Sequence, residues 1–120
     1  MNFSSAIQAH TNWKLRLFTA CAETSTVRID ADTLAKDDQC ELGKWLRGDA
    51  RRYTSDARFS ELVAAHAGFH RAAGDVARMI AAGKKAEAEK TLYSRDSEFT
   101  RTTMQVVALL MGFRTRHGDS

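Results

Sequence analysis

The chain has 120 residues, a hydrophobic fraction of 43% and a formal net charge of +3. This length suffices for one domain with its own core, and we expect a single domain over residues 1–120 with a frayed tail over 114–120. The basic residues are spread along the chain, without the basic stripe or interleaved aromatic residues typical of nucleic-acid binding, so we expect no nucleic-acid partner.

The cysteine content and the hydropathy pattern predict the compartment. Two cysteines do not make the disulfide framework of a small secreted protein. The N-terminus lacks the charged-then-apolar pattern of a signal peptide, and no apolar run approaches the roughly 18 residues that span a bilayer. We therefore expect a cytoplasmic protein without membrane insertion, in which the thiols are free to bind metal or react with oxidants.

The absence of proline favours long, uninterrupted helices and an all-α fold. The first predicted helix covers residues 2–24, where apolar and semi-polar side chains recur in steps of three and four. Asn2 is one candidate for its N-cap. The residues on this face are Phe3, Ile7, His10, Trp13, Leu17 and Cys21.

Residues 27–38 are acidic and irregular, with one helical turn predicted around 33–36. Asp37 or Asp38 is expected to cap a short helix that runs through Leu46 and ends at Gly48. Gly43 inside this helix costs about 1 kcal/mol relative to alanine. A close backbone approach to Gly43, with Leu42 and Trp45 pointing inward, would explain its presence.

The amphipathic pattern returns strongly after the second connector. One helix is predicted from Asp56 to Gly83, with Ser55 or Asp56 as its cap, and a last helix from about Lys85 to Arg114, with a polar middle over 94–103. Three long helices and one short helix carrying Cys40 predict a four-helix bundle.

Three of the four histidines lie on core-facing helix positions. His66 and His70 are four residues apart and project side by side, although this spacing alone is a weak signal that ordinary helix histidines often match. His10 lies on the inner face of the first helix, where a single histidine is more often a hydrogen-bonded core residue. Buried imidazoles need polar partners, so three of them facing one core favour a metal site.

Either cysteine is a candidate fourth ligand, and helix geometry separates them. Cys21 follows His10 by eleven residues, which is about 16 Å along a continuous helix, so the two cannot share one ion. Cys21 is predicted to be a small buried apolar residue. Cys40 lies on a separate short element that can fold over the bundle, and it is the better candidate.

Three imidazoles and one thiolate suit Zn²⁺ in a tetrahedral structural site. Four protein ligands leave no position for an activated water, and no Glu follows the first histidine as in H-E-x-x-H, so we expect no enzymatic activity. A di-iron bundle is disfavoured because its Glu-x-x-His motifs are missing. Asp37, Asp38 or Glu41 is a candidate acceptor for an imidazole N–H, although capping is the simpler role for the two aspartates.

These residues resemble the chemoreceptor zinc-binding (CZB) domain family, and the resemblance extends from Phe3 to about Phe113. It implies that the zinc ligands are His10, Cys40, His66 and His70. It also implies that four residues pack around the site, namely Trp13, Leu42, Gly43 and Trp45. Asp38 is our candidate acceptor for an imidazole N–H at this site. Three motifs in order carry the resemblance: HTNWK over residues 10–14, CELGKW over 40–45 and HAGFH over 66–70.

The resemblance also implies a function. It implies a cytoplasmic sensory module, usually a homodimer, that is attached to a chemoreceptor or a diguanylate cyclase. The resemblance further implies a cysteine that is expected to leave zinc or to react with oxidants such as hypochlorous acid. No receptor coiled coil, cyclase or kinase region is present in these 120 residues, so the output partner acts in cis or in trans. A purely structural zinc-stabilised dimerisation bundle is the alternative.

Overall fold

The computed structural model describes residues 1–119, and every regular element in that range is a helix. The predicted all-α class is confirmed. A 3₁₀-helix at Asp49–Tyr53 follows the third α-helix. The α-helices in chain order are α1 (Phe3–Cys21), α2 (Ala31–Leu34), α3 (Glu41–Arg47), α4 (Phe59–Ala81), α5 (Lys85–Tyr93) and α6 (Glu98–His117).

The ends of the long helices follow from local chemistry. The Asn2 side chain accepts a hydrogen bond from the backbone N–H of Ser5 at 2.8 Å and so caps α1. Gly83 follows the end of α4 with φ of +81°, a conformation that glycine adopts without steric cost. The start of α4 differs from the prediction: the helix begins at Phe59, and Asp56 accepts from the N–H of Arg58 in the preceding turn.

The core lies between α1, α4 and the last two helices. α6 runs antiparallel to α4, since the rings of Phe69 and Phe99 lie 5.7 Å apart while Arg116 pairs with Asp56 near the start of α4. α1 also runs antiparallel to α6, since the ring of Phe3 at its start stacks on that of Phe113 near the end of α6, 6.1 Å away. α1 and α4 therefore run in the same direction.

The predicted continuous last helix is wrong in one respect. The helix ends at Tyr93, because Ser94 has an extended backbone conformation. A separate helix, α6, then begins, and the Ser97 hydroxyl caps it by accepting from the N–H of Thr100 at 3.1 Å. Serine side chains compete for backbone hydrogen bonds and favour such caps over helix interiors. The bundle thus contains two continuous long helices and one broken one, with α2 and α3 packed against it.

The C-terminal end is tied to the N-terminus. α6 extends to His117, three residues beyond the predicted end, and the Asp119 carboxylate accepts from the backbone N–H of Ser4 at 2.9 Å. Ser120, the last residue of the predicted frayed tail, lies outside the described residues, and the fraying itself stays a prediction.

Within residues 1–119, no helix has the length and apolar character needed to span a bilayer.

Candidate metal centre

His10 enters the core from the inner face of α1. Its side chain is 2% exposed. Its Nδ1 lies 2.7 Å from the carbonyl oxygen of Ala6, one turn earlier in the same helix. Donation from Nδ1–H to this carbonyl fixes the tautomer and leaves Nε2 as the nitrogen with a free lone pair.

His66 and His70 project from adjacent turns of α4, and both are buried. The Nδ1 of His70 lies 2.8 Å from the carbonyl oxygen of Leu34, the last residue of α2. The two Nε2 atoms lie 3.0 Å apart. The Nδ1 of His66 is buried without a hydrogen-bond partner among the described residues. Backbone carbonyls therefore orient two of the three imidazoles, whereas the polar contacts of His66 are made through its Nε2 alone.

Cys40 closes the cluster from the segment that joins α2 to α3. Its Sγ lies 3.2 Å from Nε2 of His66 and 3.4 Å from Nε2 of His70. The same sulfur accepts the backbone N–H of Gly43 at 3.3 Å, so Cys40 is the N-cap of α3. The prediction that Asp37 or Asp38 caps this helix is wrong, because the sulfur occupies the capping position.

The four side chains can each place one ligand atom so that all four atoms lie within 4.8 Å of one another. In a tetrahedral zinc site with bonds of about 2.0–2.3 Å, neighbouring ligand atoms are about 3.3–3.6 Å apart. The distances among the Cys40 sulfur and the Nε2 atoms of His66 and His70, 3.0–3.4 Å, approach this geometry. The donor set of three imidazoles and one thiol fits zinc better than the oxygen-preferring magnesium or calcium.

Burial sets the protonation of the histidines. Desolvation lowers the pKa of His10 to about 4. Desolvation and the neighbouring His70 lower the pKa of His66 to about 2, and desolvation also lowers the pKa of His70. Near neutral pH all three rings are thus neutral, which is the form that binds a metal.

The thiol of Cys40 has the opposite requirement. Burial raises its pKa above the usual value, an effect that the N–H of Gly43 partly offsets. Metal binding needs the thiolate, so binding at neutral pH releases the thiol proton. Burial disfavours the Cys40 thiolate, and a bound cation would stabilise it.

The predicted packing residues of the CELGKW motif are buried in α3, the helix that Cys40 caps. Leu42 is 1% exposed and Trp45 is 7% exposed, and the Trp45 ring meets that of Phe3 edge-on at 5.3 Å. A Cβ atom added to Gly43 would lie 1.7 Å from the carbonyl oxygen of Asp37. The structure thus shows the close backbone approach that a glycine inside this short helix predicts.

Trp13 and Asp38 are not among the four clustered residues. Trp13 is half-buried, and the Arg16 guanidinium lies 3.7 Å from its ring centre. Asp38 is exposed, and its carboxylate accepts from the side chain of Gln39. The suggested support of a histidine by Asp38 is therefore not found, because the carbonyls of Ala6 and Leu34 accept the imidazole N–H groups instead.

Cys21 lies outside the cluster, 4% exposed in the apolar core. Sequence reasoning missed the two supporting carbonyls, since backbone acceptors leave no mark in side-chain identity. The spacing of four residues between Ala6 and His10 is the only local clue. The contact of Leu34 with His70 spans 36 residues and depends on how α2 packs against α4.

The comparison with protein families decides the identity. A family model described as the chemoreceptor zinc-binding domain matches residues 10–77, which is more than half of the chain. The chain belongs to the CZB family. The matched range contains all four clustered residues, and the cofactor of a CZB domain is zinc. Searches of curated proteins and of solved structures found no match.

Family membership confirms the resemblance seen in the three sequence motifs. The CZB family is a sensory and regulatory one and is not a known catalytic family. The zinc prediction rests on two independent observations, the family match and a His₃Cys cluster suited to a metal ion.

Proposed function

We propose that His10, Cys40, His66 and His70 bind one zinc ion, and that the CZB domain is a regulatory module in which this site responds to zinc availability or to cysteine oxidation. One observation carries the proposal. Three ligands lie on long bundle helices, whereas the sulfur lies on the irregular connection between α2 and α3. Loss of the sulfur ligand then frees one segment while the bundle stays folded.

This arrangement is a local order–disorder switch. When bound, zinc holds the thiolate in place and lowers the free energy of the closed segment. The Sγ–Gly43 hydrogen bond links that same sulfur to the first turn of α3. Oxidation of Cys40 therefore alters the atom that serves as both metal ligand and helix cap, and the change extends to residues 41–47.

Two signals act on such a sulfur. A fall in free zinc empties the site by mass action. An oxidant such as hypochlorous acid converts the thiolate to a sulfenic acid, which binds zinc poorly. Cys40 is only partly buried, whereas Cys21 is buried in the core, so the ligand sulfur is the more accessible one.

The output belongs to a partner protein. We propose a chemoreceptor or diguanylate cyclase, joined in cis or in trans, in a cytoplasmic signalling pathway such as chemotaxis. We propose a homodimer as the working unit and no enzymatic activity of the domain. Support for an interface comes from the exposed side chains of Met104 and Met111, which are 66% and 46% exposed and lie seven residues apart on α6.

A structural zinc bundle is the second candidate, and the burial of the histidines favours it. His10, His66 and His70 are at most 3% exposed, and structural zinc ligation contributes about 10–16 kcal/mol in zinc-finger peptides. A site of that strength holds a small domain permanently closed. It then supports dimerisation or docking without sensing.

A chelator titration separates the two functions. A chromophoric indicator reports zinc release, and far-UV circular dichroism reports the helix content. A regulatory site loses zinc reversibly with most helicity retained. A structural site keeps zinc until the bundle unfolds, so that the two signals change together. Failure of the purified protein to bind zinc under any condition contradicts both functions.

A further inference from the structure

An open groove of about 430 Å³ lies beside the metal centre, between α1 and the segment that carries α2. Cys40 and His70 form part of its wall. The volume is within the range of about 300–1,000 Å³ that is typical of small-molecule sites. The groove is therefore large enough for a small organic ligand beside the sulfur.

Positive charge is concentrated around this groove. Arg16, Arg28 and Lys36 line it together with a single carboxylate, that of Asp30. Asp30 is already engaged, because its two oxygens accept from the backbone and hydroxyl of Thr33 and cap α2. Within residues 1–119, none of the three cations forms an ion pair with a carboxylate, and Lys36 interacts with the carboxylates of Asp30 and Asp38 only at longer range. Each of the three side chains can therefore still pair with an anionic ligand.

The groove also has an apolar side. Trp13, Ile29 and Leu34 contribute to its lining, and both Trp13 and Ile29 are only half-buried. The Arg16 guanidinium already lies over the Trp13 ring at 3.7 Å. An aromatic face next to convergent cations is suited to a ligand with a planar apolar body and an anionic group.

We propose that this groove binds a small organic anion, with its charged group among Arg16, Arg28 and Lys36 and its apolar body against Trp13. A ligand in this position covers the solvent-facing side of Cys40. The inference goes beyond the zinc function, because none of these four side chains is a proposed zinc ligand. Zinc binding and anion binding can therefore each fail without the other.

The test uses ¹⁵N-labelled, zinc-loaded protein and three probes. Benzoate carries a planar ring and a negative charge, benzamidine carries the same ring with a positive charge, and inorganic phosphate carries negative charge without a ring. The indole N–H signals of Trp13 and Trp45 are distinguished with Trp13→Phe. Trp45, buried in the core, serves as the internal reference.

We expect benzoate to move the Trp13 signal saturably below about 20 mM, while benzamidine does not and phosphate binds more weakly. Arg28→Glu and Lys36→Glu are each expected to weaken benzoate binding about tenfold. Arg51→Glu makes the same change of charge on the exposed side of the 3₁₀-helix and should leave benzoate binding unchanged.

Three results overturn the proposal. The first is no saturable shift with benzoate, and the second is an equal shift with benzamidine or equal affinity for phosphate. The third is equal weakening by Arg51→Glu and Arg28→Glu. The comparison of benzoate with benzamidine needs only wild-type protein, so the test does not depend on the folding of any variant. Elemental analysis of the same sample reports zinc content separately.

Discussion

The Cys40 sulfur accepts the backbone N–H of Gly43 at 3.3 Å, so one atom both caps α3 and faces the histidine cluster. The capping turn also brings Gly43 against the backbone of Asp37. The position of the sulfur therefore depends on the absence of a side chain at residue 43.

Gly43→Ala is predicted to destabilise the protein and to weaken zinc binding. The added Cβ would lie 1.7 Å from the carbonyl oxygen of Asp37 and 2.7 Å from its carbonyl carbon. These are backbone atoms that cannot rotate away, so we expect a loss of about 3 kcal/mol in the free energy of unfolding, measured by urea denaturation.

Gly112→Ala is the matched control for Gly43→Ala. Its nearest neighbour is the end of the flexible Arg116 side chain at 3.0 Å, which can move aside. Replacing a helix glycine by alanine then stabilises by up to about 1 kcal/mol. Equal effects of the two substitutions would contradict the role given to the Asp37 contact.

Gly74→Ala is predicted to displace α2 and to disturb His70 from a distance. The new Cβ would lie 2.7 Å from the Cβ of Ala35, directly after α2. Displacing α2 moves the Leu34 carbonyl that accepts from His70, and loss of such support typically lowers metal affinity 10–100-fold. Competition with a zinc indicator measures the affinity.

Ala35→Gly in the same chain removes the closest clashing atom. The double variant should recover part of the lost zinc affinity, a non-additive result that identifies the contact. Purely additive losses in the two single variants and the double variant would show that α2 does not transmit the effect.

The sequence predicted which four residues cluster because each of them carries a side-chain signal. His10, His66 and His70 interrupt apolar helix faces, and Cys40 lies on the one short element able to reach them. The break at Ser94–Ser97 was hidden because a polar stretch fits either an exposed helix or a turn. The Leu34 support was hidden because a backbone carbonyl has no residue-type signature.

Acidification is predicted to destabilise the zinc-free protein, because the buried histidines bind protons more readily in the unfolded state. Burial lowers the pKa of His10 to about 4 and that of His66 to about 2, below the value of about 6.5 in the unfolded chain. Below pH 6.5 the unfolded state binds protons that the folded state does not. Each histidine then costs about 1.4 kcal/mol per pH unit, down to about pH 4 for His10 and about pH 2 for His66.

Thermal unfolding between pH 8 and pH 5 checks this sign. The midpoint should be steady above pH 7 and fall below pH 6.5, with a smaller slope in His66→Leu. Cys21→Ala is the control, since Cys21 is buried outside the metal cluster and its removal leaves every histidine in place, and its slope should match that of the wild type. A midpoint that rises on acidification would contradict the assigned protonation states.

Cys40→Ala is predicted to loosen one segment while the bundle persists. Residues 27–46 should lose hydrogen-exchange protection, because the variant lacks both the metal ligand and the cap of α3. Protection in α4 and α6 should change much less. Cys21→Ala, which removes a buried sulfur outside the cluster, should not loosen residues 27–46 selectively. Unchanged protection there in Cys40→Ala would contradict the switch.

The most direct test of the zinc site is elemental analysis of bound metal in wild-type protein, Cys40→Ala, His66→Ala and Cys21→Ala, purified without chelators. The proposed site predicts one zinc per chain in wild type and in Cys21→Ala, with zinc reduced or lost in Cys40→Ala and His66→Ala. Zinc retained in Cys40→Ala and His66→Ala, or a wild-type protein that binds no zinc, would contradict the His10–Cys40–His66–His70 site.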